Sequence, residues 1–224
     1  MSIRIALVND NKYESLLVAD ALAKKGIEVS YLLHSFSHLP NLFETSIPEV
    51  LVVSIGENAL KEIAVVEKVR SKHPLIGLVF LTSSPDLRLL GITEKNLPLG
   101  VQIIFKKSVI DLHILSRAIH DSADHSKIRF TFQWVAGNSF TDDATFLSNL
   151  AALTHVQIET LRLLAQGRSN AEIAQVRFVT EKAVEHTITR ILAALNLKTN
   201  PRNNSRVMLS REYYRWVEAS QQIS

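Results

Sequence analysis

Five short runs in the first half of the chain are apolar almost without interruption: Ile3–Val8, Glu28–Leu33, Val50–Ser54, Ile76–Leu81 and Val101–Phe105. They lack the alternation of a half-exposed strand and suit parallel strands buried on both faces of a sheet. Between them, Lys12–Lys25, Glu57–Lys72, Pro85–Lys95 and Val109–Ala123 have the spacing of helices. The segment from His34 to Pro48 is poorly periodic and is expected to hold a short helix. Strands and helices alternating through short connections predict a doubly wound, flavodoxin-like α/β domain over residues 1–123, with a five-stranded parallel sheet. Residues 124–150 mix turn formers with Phe130, Phe132, Trp134, Phe140 and Phe146, and read as an aromatic linker that is packed, not free.

Beyond residue 150 the pattern becomes all-helical, and the helix ends are spelled out. Thr154-His-Val-Gln157 is a capping box that opens a helix stopping at Gly167, and Ser169-Asn-Ala-Glu172 opens a second that ends near Val176. After a break at Phe178-Val179, Thr180 caps a helix running to about Asn196; Asn200-Pro201 is expected to cap and start the fourth. A short helix, a tight turn and a second helix form a helix-turn-helix, which seats one helix in the major groove of duplex DNA. Residues 151–224 are therefore expected to be a four-helix DNA-binding domain.

In the third of these helices Val184, Ile188, Ile191 and Leu195 recur at helical spacing and form one buried stripe. At about 100° per residue, Lys182, His186, Thr189 and Ala193 fall on the opposite side, flanked by Glu185 and Arg190. Such a short polar face can read bases: Lys182 suits guanine O6/N7, and His186 and Thr189 suit base edges or phosphate. Arg168, Arg177, Arg190, Lys198, Arg202 and Arg206 are the cations placed to reach phosphates. Charge supports this division. From residue 151 onward there are ten Lys/Arg against six Asp/Glu, while residues 1–150 carry fifteen against sixteen, so the positive excess sits in the helical half.

This stretch resembles the DNA-binding domain of the LuxR/NarL family over about sixty residues. The resemblance is carried by Leu153-Thr, Glu159, Leu164-Ala-Gln-Gly167, Ser169-Asn-Ala-Glu-Ile-Ala174, and then Thr180-Glu-Lys-Ala-Val184 and Ile188-Thr-Arg-Ile-Leu192. It implies Lys182, Glu185, His186, Thr189, Arg190, Lys198 and Arg168 as the DNA-binding residues. Two positions depart from the family: Thr187 replaces a frequent histidine and Ala183 a threonine; Glu185 stands where several members carry a lysine that faces phosphate, although glutamate is also common there. The fold survives these changes, but the family's base preference does not carry over.

The first 120 residues resemble the receiver domain of response regulators, through Val8-Asn9-Asp10, Pro48-Glu-Val-Leu-Val-Val-Ser54, Phe80-Leu-Thr82-Ser and Ile103-Ile-Phe-Lys106. An active receiver has an acidic pair after its first strand, an aspartate after the third, a Thr/Ser and a Lys. Asp10, Thr82 and Lys106 are kept, whereas Asn9 replaces one acid, Ser54 occupies the phosphoacceptor position, and Ile103 stands where an aromatic switch is frequent. Serine cannot form an acyl phosphate, and its neutral hydroxyl is a poor ligand for Mg²⁺, which favours carboxylate oxygens. The resemblance therefore implies a degenerate pocket (Asn9, Asp10, Ser54, Thr82, Lys106) with no metal and no aspartyl phosphorylation, which argues against a cognate sensor kinase. Three roles stay open: an Asp10–Lys106 salt bridge that fixes one state, a pocket for a ligand or partner, or modification of Ser54. The helix over Val109–Ala123, with Ile110, Ile114, Leu115, Ala118 and Ile119, is the face through which many receivers dimerise.

Other chemistry finds little support. The chain contains no cysteine, which excludes disulfides and cysteine–zinc sites and fits a reducing cytoplasm. No apolar run approaches the ~20 residues of a membrane span, and no signal peptide is evident. His34, His38, His73, His113, His120, His125 and His155 show no metal-ligand spacing. No P-loop, Gly-x-Gly-x-x-Gly turn or Gly-x-Ser-x-Gly elbow is present, so neither an enzymatic activity nor a cofactor is expected. The favoured reading is a sequence-specific transcription regulator acting on duplex DNA as a homodimer, since one recognition helix spans too few base pairs. The alternative is an interaction protein that heterodimerises with a related regulator. A phosphorelay role through Ser54 or Asp10 is weakest, because the acceptor carboxylate is missing.

Overall fold

The computed structural model describes residues 2–39, 43, 46–56, 58–106, 111–124, 132–135, 150, 152–197 and 204–218. The chain divides into two compact units, one formed by residues 1–83 and 92–139, the other by residues 84–91 and 140–224.

The first unit is a parallel sheet flanked by helices. Its strands are β1 (Ile3–Val8), β2 (Ile27–Leu33), β3 (Val50–Ile55), β4 (Gly77–Thr82), β5 (Val101–Phe105) and β6 (Phe132–Trp134), in the order β2-β1-β3-β4-β5-β6. Helices α1 (Lys12–Ala23), α2 (Ala59–Lys72) and α3 (His113–Ala123) cover it. The uninterrupted apolar runs have the expected cause: Ile5–Val8, Val50–Val53 and every residue of β4 are buried, because these central strands have a covered face on each side. In the edge strand β2, only Ile27 is buried.

The sheet has six strands, not the expected five. The extra strand comes from the connector, where Phe132–Trp134 pair in parallel with Val101–Ile103 and cover the edge that β5 would otherwise expose. Phe130, Phe140 and Phe146 lie outside the described residues. A second correction concerns Pro85–Lys95, which is not a helix but two 3₁₀ turns, Leu87–Leu90 and Glu94–Asn96. Asp86 caps the first through Arg88 N, and Gly91, at φ +76°, ends it in the left-handed region that favours glycine. The short helix expected between His34 and Pro48 falls partly on residues outside the described ones. The apolar residues Leu115, Ala118 and Ile119 of α3 are buried in the sheet's own core, so they are not spare for a partner; Ile114 is half-buried and Ile110 lies outside the described residues.

The second unit is helical: α4 (His155–Ala165), α5 (Asn170–Arg177), α6 (Glu181–Ala194) and α7 (Ser205–Glu218). The caps expected for α4, α5 and α6 are formed. Thr154 accepts from Gln157 N at 3.3 Å while Gln157 accepts from Thr154 N at 2.8 Å. Ser169 and Glu172 repeat the exchange at 3.2 and 2.7 Å, and Thr180 accepts from Ala183 N at 3.2 Å. The start of α7 differs: Asn204 is non-helical and its side chain accepts from Arg206 N at 2.9 Å, so the helix begins at Ser205 and not at Pro201. Asn200 and Pro201 themselves lie outside the described residues.

The core of this unit joins Leu153, Ile158, Leu161, Ile173, Val184, Ile188, Ile191, Leu209 and Trp216, and it includes Leu89. Residues 84–91, which connect β4 to the next strand in sequence, thus belong to the helical unit. Leu89 is fully buried there and its carbonyl accepts from the Tyr213 hydroxyl at 2.8 Å. Arg88, braced by Asp86 at 2.6 Å, donates to the Leu153 carbonyl at 2.9 Å. Gly91 is pressed against Arg162, whose guanidinium carbon would lie 3.2 Å from an added Cβ.

Candidate functional site

The turn between α5 and α6 sets the recognition element. α5 is capped by Phe178, which takes φ 54° and ψ 45°, and Val179 N closes the turn on the Ala174 carbonyl at 3.0 Å. A left-handed residue other than glycine costs about 1–2 kcal/mol, and the Phe178 side chain is 95% exposed, so packing does not offset that cost. Thr180 then caps α6. Val184, Ile188 and Ile191 are buried against the other helices, which leaves Lys182, Glu185, His186, Thr189, Arg190 and Ala193 exposed along the opposite side. The inner and outer faces follow from the 3.6-residue period, as the sequence indicates.

The electrostatics of this face are mixed. Lys182 opens it and Arg190 lies two turns on, with Glu185 and His186 between them; no salt bridge is formed by any of the four among the described residues. Among the described residues these charges are thus exposed and carry no ion pair. Arg168 is exposed in the loop before Ser169. Its backbone carbonyl accepts from Arg206, whose other guanidinium nitrogen donates to Asn170 Oδ1 at 2.7 Å. Arg206 is thus a brace for the start of α5, which corrects its expected role as a phosphate contact. Arg177 is corrected in the same way: it donates to Thr160 Oγ1 at 2.7 Å, lies 3.5 Å from Glu159, and has a side chain only 10% exposed. Lys198 and Arg202 lie outside the described residues. At the cap of α5, hydrogen bonds from the Ser169 backbone and side chain hold the Glu172 carboxyl below the usual carboxylate range, so it stays ionised at the helix's positive end.

The second polar cluster lies at the carboxyl ends of β1, β3, β4 and β5. Asn9 is buried, with its Oδ1 accepting from Asn11 N at 3.1 Å and its Nδ2 without a hydrogen-bond partner among the described residues. Asp10 is exposed, Ser54 half-buried, and Thr82 fully buried. Lys106 does not pair with Asp10. It binds Glu14, at 2.9 Å from Oε1 and 3.0 Å from Oε2, because the first turn of α1 carries that carboxylate over the end of β5. Glu62 of α2 also faces this region and accepts from Gly56 N at 2.9 Å. Burial pushes its carboxyl above the usual range and the Asp10 carboxylate adds to the rise, while the bond from Gly56 opposes it. Glu14 and Glu62 are the participants that sequence reasoning missed; their only signal was an acidic residue in the first turn of each helix after a strand.

Receivers use Mg²⁺ at this place, and the residues here do not fit it. Of the three family carboxylates only Asp10 remains, Glu14 is engaged by Lys106, and no three His, Asp or Glu among the described residues are grouped to hold a metal. No described helix is long and apolar enough to cross a membrane.

Comparison with known proteins agrees with this division. Residues 151–202 match the family model "Bacterial regulatory proteins, luxR family". The oxygen regulatory protein NreC of Staphylococcus haemolyticus (strain JCSC1435) is 25% identical over 173 residues, covering 69% of this chain and 72% of that protein. Among solved structures, RcsB from Salmonella enterica serovar Typhimurium bound to promoter P1flhDC in the presence of the phosphomimetic BeF3⁻ shares the fold, with a TM-score of 0.50 and 14% identity over 95% of this chain and 98% of that one. A structure of two RcsB dimers bound to two parallel DNAs gives a TM-score of 0.50 and 15% identity, covering 95% and 99%.

Proposed function

We propose, from the premise that this chain is a DNA-binding response regulator of the LuxR/NarL type, that it regulates transcription from specific duplex sites through the exposed face of α6 and does so without an acyl phosphate. The observation that carries the proposal is the separation of α6 into a buried stripe, Val184, Ile188 and Ile191, and an opposed, exposed polar stripe, Lys182, Glu185, His186 and Thr189. Lys182 and Arg190 supply attraction to phosphate and guanine, His186 and Glu185 supply directional donors and acceptors, and Arg168 adds a backbone contact from the preceding loop. The chain acts as a homodimer on two half-sites about one helical turn apart, since a single helix reads too few base pairs. It works in the cytoplasm, and the pocket formed by Asn9, Asp10, Ser54, Thr82 and Lys106 does not turn over phosphate.

Two measurements test this. Selection of bound fragments from random duplex DNA with the full-length protein should enrich a motif repeated at helical spacing; a pool no different from the input rejects the DNA-binding reading. Acetyl phosphate with Mg²⁺ should leave the intact mass and the oligomeric state unchanged, and a stable adduct of one phosphoryl group would reject the second half of the proposal.

A further inference from the structure

Thr189 sits in the middle of the exposed stripe of α6, one turn beyond Glu185. Its hydroxyl donates to the Glu185 backbone carbonyl at 3.0 Å and is therefore turned back into its own helix. In a threonine whose hydroxyl is held to the carbonyl four residues earlier, the hydroxyl is engaged along the helix and the methyl is the group left for an outside partner. Thr187 makes the same bond, to Ala183 O at 2.8 Å, but that residue is half-buried at the margin of the face. On the exposed stripe the result is a change of character along the helix: Lys182, Glu185 and His186 present polar groups, while Thr189 and the exposed Ala193 present methyls.

We infer that Thr189 is a specificity residue that selects thymine by packing its methyl against the base's C5-methyl, not by hydrogen bonding to a base edge. In the major groove only thymine offers an apolar group; every other base presents polar atoms or a bare C–H there. The inference rests on the DNA-binding reading of α6 and adds the base chosen by one of its residues.

The test uses the full-length protein and the duplex enriched by selection, with each thymine of the half-site replaced in turn by deoxyuridine, which lacks only the methyl. At one position this should weaken binding about fourfold, the worth of one buried methyl group. Thr189→Val keeps the shape and the methyl and should keep both the thymine preference and the sensitivity to deoxyuridine. Thr189→Ser keeps the hydroxyl alone and should lose both. Retention by the serine variant with loss by the valine variant overturns the inference in favour of hydroxyl readout, and indifference to every deoxyuridine overturns it outright. A selection that enriches no duplex rejects the underlying DNA-binding reading instead, so the two failures are told apart. Circular dichroism of both variants establishes that α6 remains helical.

Discussion

The two polar clusters of this protein have opposite relations to their scaffolds. At the ends of the sheet strands two charged groups are bound within the fold, Lys106 by Glu14 and Glu62 by the Gly56 amide, while Asp10 stays exposed. On α6, by contrast, Lys182, Glu185, His186 and Arg190 are exposed and form no salt bridge among the described residues. A charge already satisfied inside the protein gains little from an external ligand, whereas an uncommitted one retains its full interaction. Lys106 is therefore committed to its scaffold, whereas the exposed groups of α6 keep their charge for a ligand, as the proposed function requires.

The largest effect that separates them is expected on α6. Lys182→Ala with His186→Ala should weaken specific DNA binding by ~100-fold or more, from two base-edge contacts each worth about 1–3 kcal/mol. Gel-shift titration against the selected duplex checks this, with circular dichroism showing an unchanged fold; selective binding by the folded double variant would erase the distinction between the clusters. Next is Leu89→Ala, which removes a fully buried side chain from the core of the helical unit and should cost it about 2–4 kcal/mol. Hydrogen exchange should then accelerate at amides of α4 and α7. If it accelerates only in β4 and β5, the assignment of residues 84–91 to the helical unit is refuted.

A smaller gain is expected from Phe178→Asn, since asparagine tolerates the left-handed conformation and the phenyl ring is almost wholly exposed. The helical unit should be stabilised by about 0.5–1 kcal/mol, read from its thermal transition. The smallest effect belongs to the sheet cluster. Because burial raises the Glu62 pKa on folding, its ionisation is harder in the folded state. Its contribution is therefore most favourable below the unfolded pKa and declines as pH rises through the folded one. Glu62→Gln, which still offers Gly56 an acceptor, should be slightly more stable than the parent near neutral pH and show no advantage at about pH 4. An advantage that grows on acidification would contradict the assigned direction.

The recognition unit was the more legible half because its signals are local. Each capping box joins residues three apart, and the stripe of Val184, Ile188 and Ile191 needs only the helical period. The same locality explains two failures. Arg177 and Arg206 look like any surface arginine in sequence, and only the fold brings Thr160 and Asn170 to them. Pro85–Lys95 has helix-like spacing, but Asp86 and Gly91 divide it into short turns once Leu89 is drawn into a core.

By itself the chain of residues determined the strand runs, the caps of α4, α5 and α6, and the opposed stripes of α6, because each depends on neighbours within a turn. The tertiary structure decided which carboxylate holds Lys106, 92 positions away at Glu14, and which core contains Leu89, whose carbonyl meets Tyr213 across 124 positions. It also recruited Phe132–Trp134 as the sixth strand. Periodicity records which side of an element is buried but not what lies against it, and these contacts exist only once distant elements are packed together.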